Sequence, residues 1–394
     1  MELSVEQIRA LDDIGRWMAT DKPLYRLFAP AGCGKTTIAQ YIAQGHKTCF
    51  CAPTGKAAKV LREKGCPAST IHSLIYRPKA KSQMRLLDLQ GRRDAVLAAN
   101  PEAKVADLDR QIAEEKRNLA RPAFSLNLDS EIRQSELCII DEVSMVDARV
   151  AEDLLSFGVK LLVLGDPHQL PPVAGLGFFI NAEPDFLLTQ IHRQAAESPI
   201  IRLATAIREG RRIIPGEWGD MVVKKGSISP EAALTYDQII VGRNKTRKAT
   251  NARVRTLKGF TDPLPVAGDR VICLRNNREL GLYNGAIWFV TDRFGKDDIV
   301  DLSIRGDDED SQMTVPAWSH HFTDPVFEPT QMSFWEKKDA EDFDYGYSCT
   351  AHKGQGSEWD SVLVFDESDC FGKDAAKHRY TAVTRAAEKL TLVV

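Results

Sequence analysis

Residues 27–37 read Leu-Phe-Ala-Pro-Ala-Gly-Cys-Gly-Lys-Thr-Thr, the end of an apolar strand running into a Gly-Lys-Thr turn. A loop of this composition is suited to wrapping an anion. Gly32 and Gly34 put no Cβ between the backbone N–H groups and a phosphate. Lys35 brings a point charge to the β- and γ-phosphates, and Thr36 carries a hydroxyl suited to Mg²⁺. The strict pattern has Gly at the first position, where this chain has Ala29. Leu24–Phe28 is β-like, and Thr37–Gln44 is helix-compatible and stops at Gly45. The candidate nucleotide ligands are therefore Ala31, Gly32, Cys33, Gly34, Lys35, Thr36 and Thr37, with a nucleoside triphosphate and Mg²⁺ as the expected ligands.

Outward from the loop, the spacing predicts a helix over about 5–18. Ser4 and Gln7 are placed as a capping box, and Leu3 and Ile8 as a hydrophobic staple. The capping box accounts for Gln7; recognition of an adenine base is the alternative. Strand 24–29, helix 35–44, strand 47–52 and helix 56–64 make a βαβα rhythm, hence a parallel sheet with crossover helices. That rhythm breaks at 78–121. There Asn100-Pro101 signals a helix start, and Val105, Leu108, Ile112 and Leu119 share one helical face. Strands return at 137–140 and 161–164, the first followed directly by Asp141 and the second by Gly165-Asp166. Beyond Pro171-Pro172 comes a second α/β segment with strand 238–242 and helix 244–257. Between 265 and 342, short β-like runs (270–274, 287–291, 299–304) alternate with Asn-Asn, Asn-Gly and Gly-Asp turns. This predicts a small β-barrel inserted into the second α/β unit, which resumes at 361–365.

The 394 residues are enough for two to four domains. At 43% hydrophobic and 27% charged, the composition is that of ordinary globular proteins. No apolar run of 18 residues and no signal-peptide pattern appears, so a soluble, cytoplasmic protein is expected. Eight cysteines are too dilute for a disulfide scaffold and read as buried free thiols. A net charge of −3 does not advertise a nucleic-acid partner, but residues 243–258 carry seven Lys and Arg and no acid. Trp288, Trp318 and Trp335 fit core packing of the small barrel better than base stacking.

Cys138-Ile139-Ile140-Asp141-Glu142 is an apolar strand ending in two carboxylates. In phosphate-loop enzymes the Asp holds Mg²⁺ and the adjacent Glu orients or deprotonates the attacking water. Gln169, in Gly165-Asp166-Pro167-His168-Gln169-Leu170-Pro171-Pro172, is placed to reach a γ-phosphate. Arg193 and Arg385 are candidate arginine fingers, which stabilise charge on a transferred phosphoryl group.

The ordered set Ala29–Thr37, Ala52–Ala58, Thr70–Ser73, Asp141–Met145, Gly165–Pro172, His192–Gln194, Thr350–Glu358 and Tyr380–Ala386 resembles superfamily 1B DNA helicases of the RecD and phage Dda type over nearly the whole chain. Its insertion at 78–121 is longer and more helical than the short β-pin of the Dda-like members, and the long extra N-terminal domain of the RecD kind is not expected. The resemblance implies two RecA-like domains with ATP between them, the first at 1–77 and 122–178 and the second at 179–264 and 343–394. It implies a helical insertion at 78–121 and an SH3-like β-barrel insertion at 265–342. Lys35, Thr36, Asp141, Glu142 and Gln169 would face Arg193, Arg385, Gly356 and Glu358 across the cleft. DNA contacts would fall at Pro53, Thr54, His72, Thr350, His352 and Lys353, beside Asn244, Arg247 and Asn251 on the basic helix. The implied activity is ATP-driven 5′-to-3′ translocation on single-stranded DNA and unwinding at forks, by a monomer with replication or recombination proteins as partners and without a membrane. A translocase that displaces proteins but unwinds poorly, and an ATP-switched DNA-binding protein, are the alternatives.

Overall fold

The computed structural model describes residues 3–78, 84–100, 105–120, 124–171, 177–191, 197–277, 280–306, 312–324 and 339–394. Helix α1 (Val5–Met18) opens with the expected capping box: Gln7 N–H donates to Ser4 Oγ, and Ser4 N–H to Gln7 Oε1. Its apolar face, Ala10, Ile14 and Trp17, is buried against the first sheet.

That sheet draws on β1 (Leu24–Phe28), β2 (Thr48–Ala52), β3 (Ala68–Thr70), β6 (Leu137–Ile140), β7 (Lys160–Gly165) and β8 (Phe186–Leu187). They run in the order β3-β2-β6-β7-β1-β8, every pair parallel. Helices cover both faces, so a central strand such as β6 is buried at all four residues and reads as a continuous apolar run rather than an alternation. Helices α2 (Lys35–Ala43) and α3 (Gly55–Glu63) follow β1 and β2. The pairing of β8 with β1 is unexpected: the first sheet takes up the chain about ten residues beyond the division at 178/179 read from the sequence.

Between β3 and β6 the chain leaves the sheet on a two-stranded antiparallel ribbon, β4 (Tyr76–Pro78) with β5 (Phe124–Leu126). The ribbon carries helices Met84–Ala99 and Ala106–Ala120. Their ion pairs, Arg93–Asp109 at 2.6 Å and Arg85–Glu115 at 3.7 Å, set them antiparallel, with Leu89 and Ile112 buried.

The second sheet contains β9 (Gly216–Trp218), β10 (Met221–Lys224), β11 (Gln238–Val241), β17 (Ser348–Thr350), β18 (Trp359–Phe365) and β19 (Ala386–Val393). Its order is β17-β11-β18-β19-β10-β9, parallel except for the β9–β10 hairpin at the edge. The antiparallel third sheet is made of β12 (Arg270–Cys273), β13 (Ile287–Phe294), β14 (Ile299–Arg305), β15 (Gln312–Trp318) and β16 (Phe343–Tyr345), in the order β15-β14-β13-β12-β16. A bulge between Val290 and Asp292 adds curvature. Glu341 then bonds through its backbone to Trp318 and Pro316, so the two edges meet. Trp288 and Trp318 are buried in this small unit, while Trp335 lies outside the described residues. A buried ion pair, Arg255–Asp269 at 2.9 Å, ties it to the basic helix Asn244–Leu257.

Candidate nucleotide and nucleic-acid site

The strand order places three loop ends side by side. The phosphate loop follows β1, Asp166 follows β7 and Asp141-Glu142 follows β6; these strands are neighbours, so their carboxyl ends open on one crevice. Gly32 (φ 83°) and Gly34 (φ 77°) take the left-handed conformation that a side chain would resist. Gly34 caps α2 without any side-chain acceptor, which leaves the first amides of the helix turned to the loop. The Lys35 ammonium donates to the loop's own carbonyls, Ala29 O at 2.6 Å and Pro30 O at 3.4 Å. Gln7 is buried, and besides closing the capping box its Nε2 donates to Cys33 O at 3.4 Å, bracing the loop from α1. Burial pushes the Cys33 thiol up to about 11, so it is not a nucleophile.

Glu142 is the one non-glycine residue with positive φ among the described residues (φ 54°, ψ 38°). This costs about 1–2 kcal/mol. Its N–H donates to Asp141 Oδ1 at 2.8 Å. Burial pushes both carboxyls above the usual carboxylate range. The Asp141 charge adds to the rise at Glu142, against the pull of Arg385 and Lys35. A carboxylate raised in this way is a better proton acceptor. Gln169 is buried, and its Oε1 has no hydrogen-bond partner.

Arg385 reaches this crevice from the other domain. It follows the helix Ala375–Val383, and its guanidinium donates to Thr381 O, Ser357 O and Thr384 Oγ1 at 3.0–3.1 Å. Arg193 lies outside the described residues, but the chain leading to it is anchored: the N–H groups of Thr189 and Gln190 donate to the Glu6 carboxylate. Glu358 is exposed, and Gly356 (φ 69°) lies against Thr54 and Ala57 at the start of α3.

The expected DNA contacts are spread over both domains. Thr54 is half-buried beside Pro53 and caps α3 by accepting from Ala57 N–H at 3.1 Å; His72 is exposed, its ring 5.3 Å from that of Tyr76. Thr350 Oγ1 accepts from Lys353 N–H, and Lys353 Nζ donates to Asn284 at 2.7 Å, with burial lowering its proton affinity. His352 packs near Phe371 and His378. The basic helix divides. Asn244 is exposed at its start, whereas Arg247 is paired with Asp344 at 2.7 Å. Asn251 is buried, with its amide bonded to Tyr345 O and Ser348 N–H, so this structure does not bring it to the surface with the others. The sequence did not point to Glu367, whose carboxylate accepts from the N–H groups of Gly242 and Arg243 and from the Thr246 hydroxyl, and so ties down the entry to that helix. Tyr380, Thr381 and Gln355 fall inside the motifs quoted from the sequence, but it gave them no role; here they bond across the crevice.

Fold and site define a phosphate-loop protein built on two parallel-sheet units. A family model described as "AAA domain" matches residues 2–229, and one described as "UvrD-like helicase C-terminal domain" matches residues 345–393. The chain belongs to this AAA-domain family. It is similar to the ATP-dependent RecD2 DNA helicase of Deinococcus radiodurans, 27% identical over 427 residues that span 98% of this chain and 48% of the relative. The chain thus spans about half the length of that relative. Among solved structures it shares its fold with a Pif1 helicase from Bacteroides in complex with ADP-AlF3 and ssDNA (TM-score 0.54) and with Pif1 helicases at forked dsDNA (TM-score 0.55). Each is 18% identical, covering all of this chain and 92% of the other. Among the described residues no helix is long and apolar enough to cross a membrane.

Proposed function

We propose that this chain is an ATP-driven DNA helicase that moves 5′ to 3′ along single-stranded DNA and separates strands at forks. The observation that carries the reading is the crevice itself. Phosphate loop, paired carboxylates and a buried glutamine with an unpartnered oxygen lie on one domain, and the Arg385 charge is felt at Glu142 from the other. The four-part division into two RecA-like domains with a helical and a barrel insertion belongs to the same proposal. So does the direction of travel, which rests on the family resemblance. The relative's name and the neighbours bound to ssDNA and forked DNA support the choice of substrate.

In this reading ATP lies on the loop between Lys35 and the α2 amides. Glu142 orients and deprotonates the attacking water, Gln169 holds the γ-phosphate side, and Arg385 offsets the charge that develops there. The donor set suits Mg²⁺: the Thr36 hydroxyl and the Asp141 carboxylate are hard oxygen donors that would hold the ion beside the phosphates. The metal would supply charge neutralisation at the phosphates. Closure around ATP draws Lys35 and Arg385 to one polyanion, and release of the phosphate lets the domains part. Thr54, His72, Thr350, His352 and Lys353 grip the strand by phosphate and stacking contacts that do not read sequence.

The test is ATP hydrolysis with and without an oligothymidylate. A large stimulation by DNA is expected. Tight DNA binding with hydrolysis absent in either condition would favour an ATP-switched binding protein.

A further inference from the structure

The turn at 166–170 carries Gln169, and the second domain holds that turn at three points. The Tyr380 hydroxyl donates to Asp166 Oδ2 at 2.6 Å while accepting from the phosphate-loop N–H of Ala31 at 3.0 Å. Thr381 Oγ1 accepts from Leu170 N–H at 3.0 Å, and Gln355 Nε2 donates to Leu170 O at 2.8 Å. All three second-domain side chains are buried, Tyr380 and Thr381 almost completely, and so are Asp166, Gln169 and Leu170. Within the turn, Asp166 Oδ1 accepts from His168 N–H and Asp166 O from Gln169 N–H, so the carboxylate that Tyr380 grips also shapes the backbone carrying Gln169. Gln169 Oε1 is left without a partner at the centre of these bonds.

We propose that Tyr380, with Thr381 and Gln355, is a cross-domain clamp that positions Gln169 and registers the phosphate loop against it. Gln169 is then competent only when the second domain is docked. The proposal rests on the reading of Gln169 as a γ-phosphate contact. Buried hydrogen bonds of fixed geometry suit this task because each removes a degree of freedom from the turn, and leaving any of these groups unpaired in a buried crevice is unfavourable. Tyr380 is the distinctive member, since a single hydroxyl links the helix Ala375–Val383 to both the loop after β1 and the loop after β7.

Tyr380→Phe removes the hydroxyl and keeps the ring; Thr381→Val removes the second bond with similar bulk. In the full chain with saturating single-stranded DNA, each should lower kcat for ATP by about tenfold, as expected for a lost positioning bond, with KM within twofold. Gln169→Ala is the reference. If the clamp acts through Gln169, adding Tyr380→Phe to Gln169→Ala should cause little further loss. Retained affinity for a fluorescent ADP analogue confirms that each variant is folded. Losses that multiply in the double variant, or a Tyr380→Phe protein with wild-type kcat, would overturn the clamp while leaving the role of Gln169 intact. A Gln169→Ala protein with wild-type turnover would overturn the role of Gln169, and the clamp with it.

Discussion

Replacing Glu142 by Gln should make the protein more stable and nearly inactive at once. In the folded chain the Glu142 carboxyl sits above its ordinary range because of burial and the neighbouring Asp141 charge, so ionising it opposes folding. The sign follows: the pair is least unfavourable below the ordinary carboxylate pKa, and stability is lost as pH rises through the raised folded value. Gln keeps the shape and removes the charge. Relief of one like-charge contact in a partly buried site is about 1–2 kcal/mol, which raises the melting temperature by roughly 2–4 °C. The gain should appear at pH 7.5 and shrink toward pH 4.5. The left-handed backbone at Glu142 is not relieved, because Gln carries the same Cβ. Turnover, by contrast, should fall by about 10²–10⁴-fold, the span associated with losing a general base. Thermal melts at the two pH values, a phosphate-release assay and binding of a fluorescent ATP analogue make the measurement. Nucleotide affinity falling in step with turnover, or a lower melting temperature at pH 7.5, would refute the reasoning and make Glu142 a structural residue.

Lys353→Ala should weaken single-strand binding and reduce the slope of log affinity against log salt by about 0.7, one phosphate contact, with DNA-free hydrolysis retained. An unchanged slope in a filter-binding titration would take Lys353 off the strand. Replacing the two helices at 84–120 by a short Gly-Ser link between β4 and β5 should impair strand separation more than single-strand translocation, measured by streptavidin displacement. Equal loss of both activities would contradict that role.

The parts of the fold legible in the sequence are those written in local pattern. The glycines of the phosphate loop, the apolar runs of β6 and β7 with acids behind them, and the shared face of Ile112 and its neighbours each occupy one short window. The capping box of α1 was equally plain, but the second bond of Gln7, to Cys33, joins residues 26 apart and leaves no local trace. The two-residue strand β8 was missed for a related reason: its pairing with β1 is set by tertiary contact, not by a periodic run. Asn251 shows the converse, a polar residue on a basic helix that reads as a surface contact and is instead consumed by the backbone of Tyr345 and Ser348. Tyr380 and Glu367 act on groups more than a hundred residues away, so only the assembled crevice reveals them.

The central claim, a directional DNA motor driven from this crevice, is tested most directly by strand separation on forks of equal duplex length that differ in which strand carries the long single-stranded tail. With Mg²⁺-ATP the account predicts release of the labelled strand from the fork bearing a 5′ tail, little from the fork bearing a 3′ tail, and none from either with Glu142→Gln. ATP hydrolysis stimulated by both forks with no strand released from either, or release that proceeds equally well with Glu142→Gln, would contradict it.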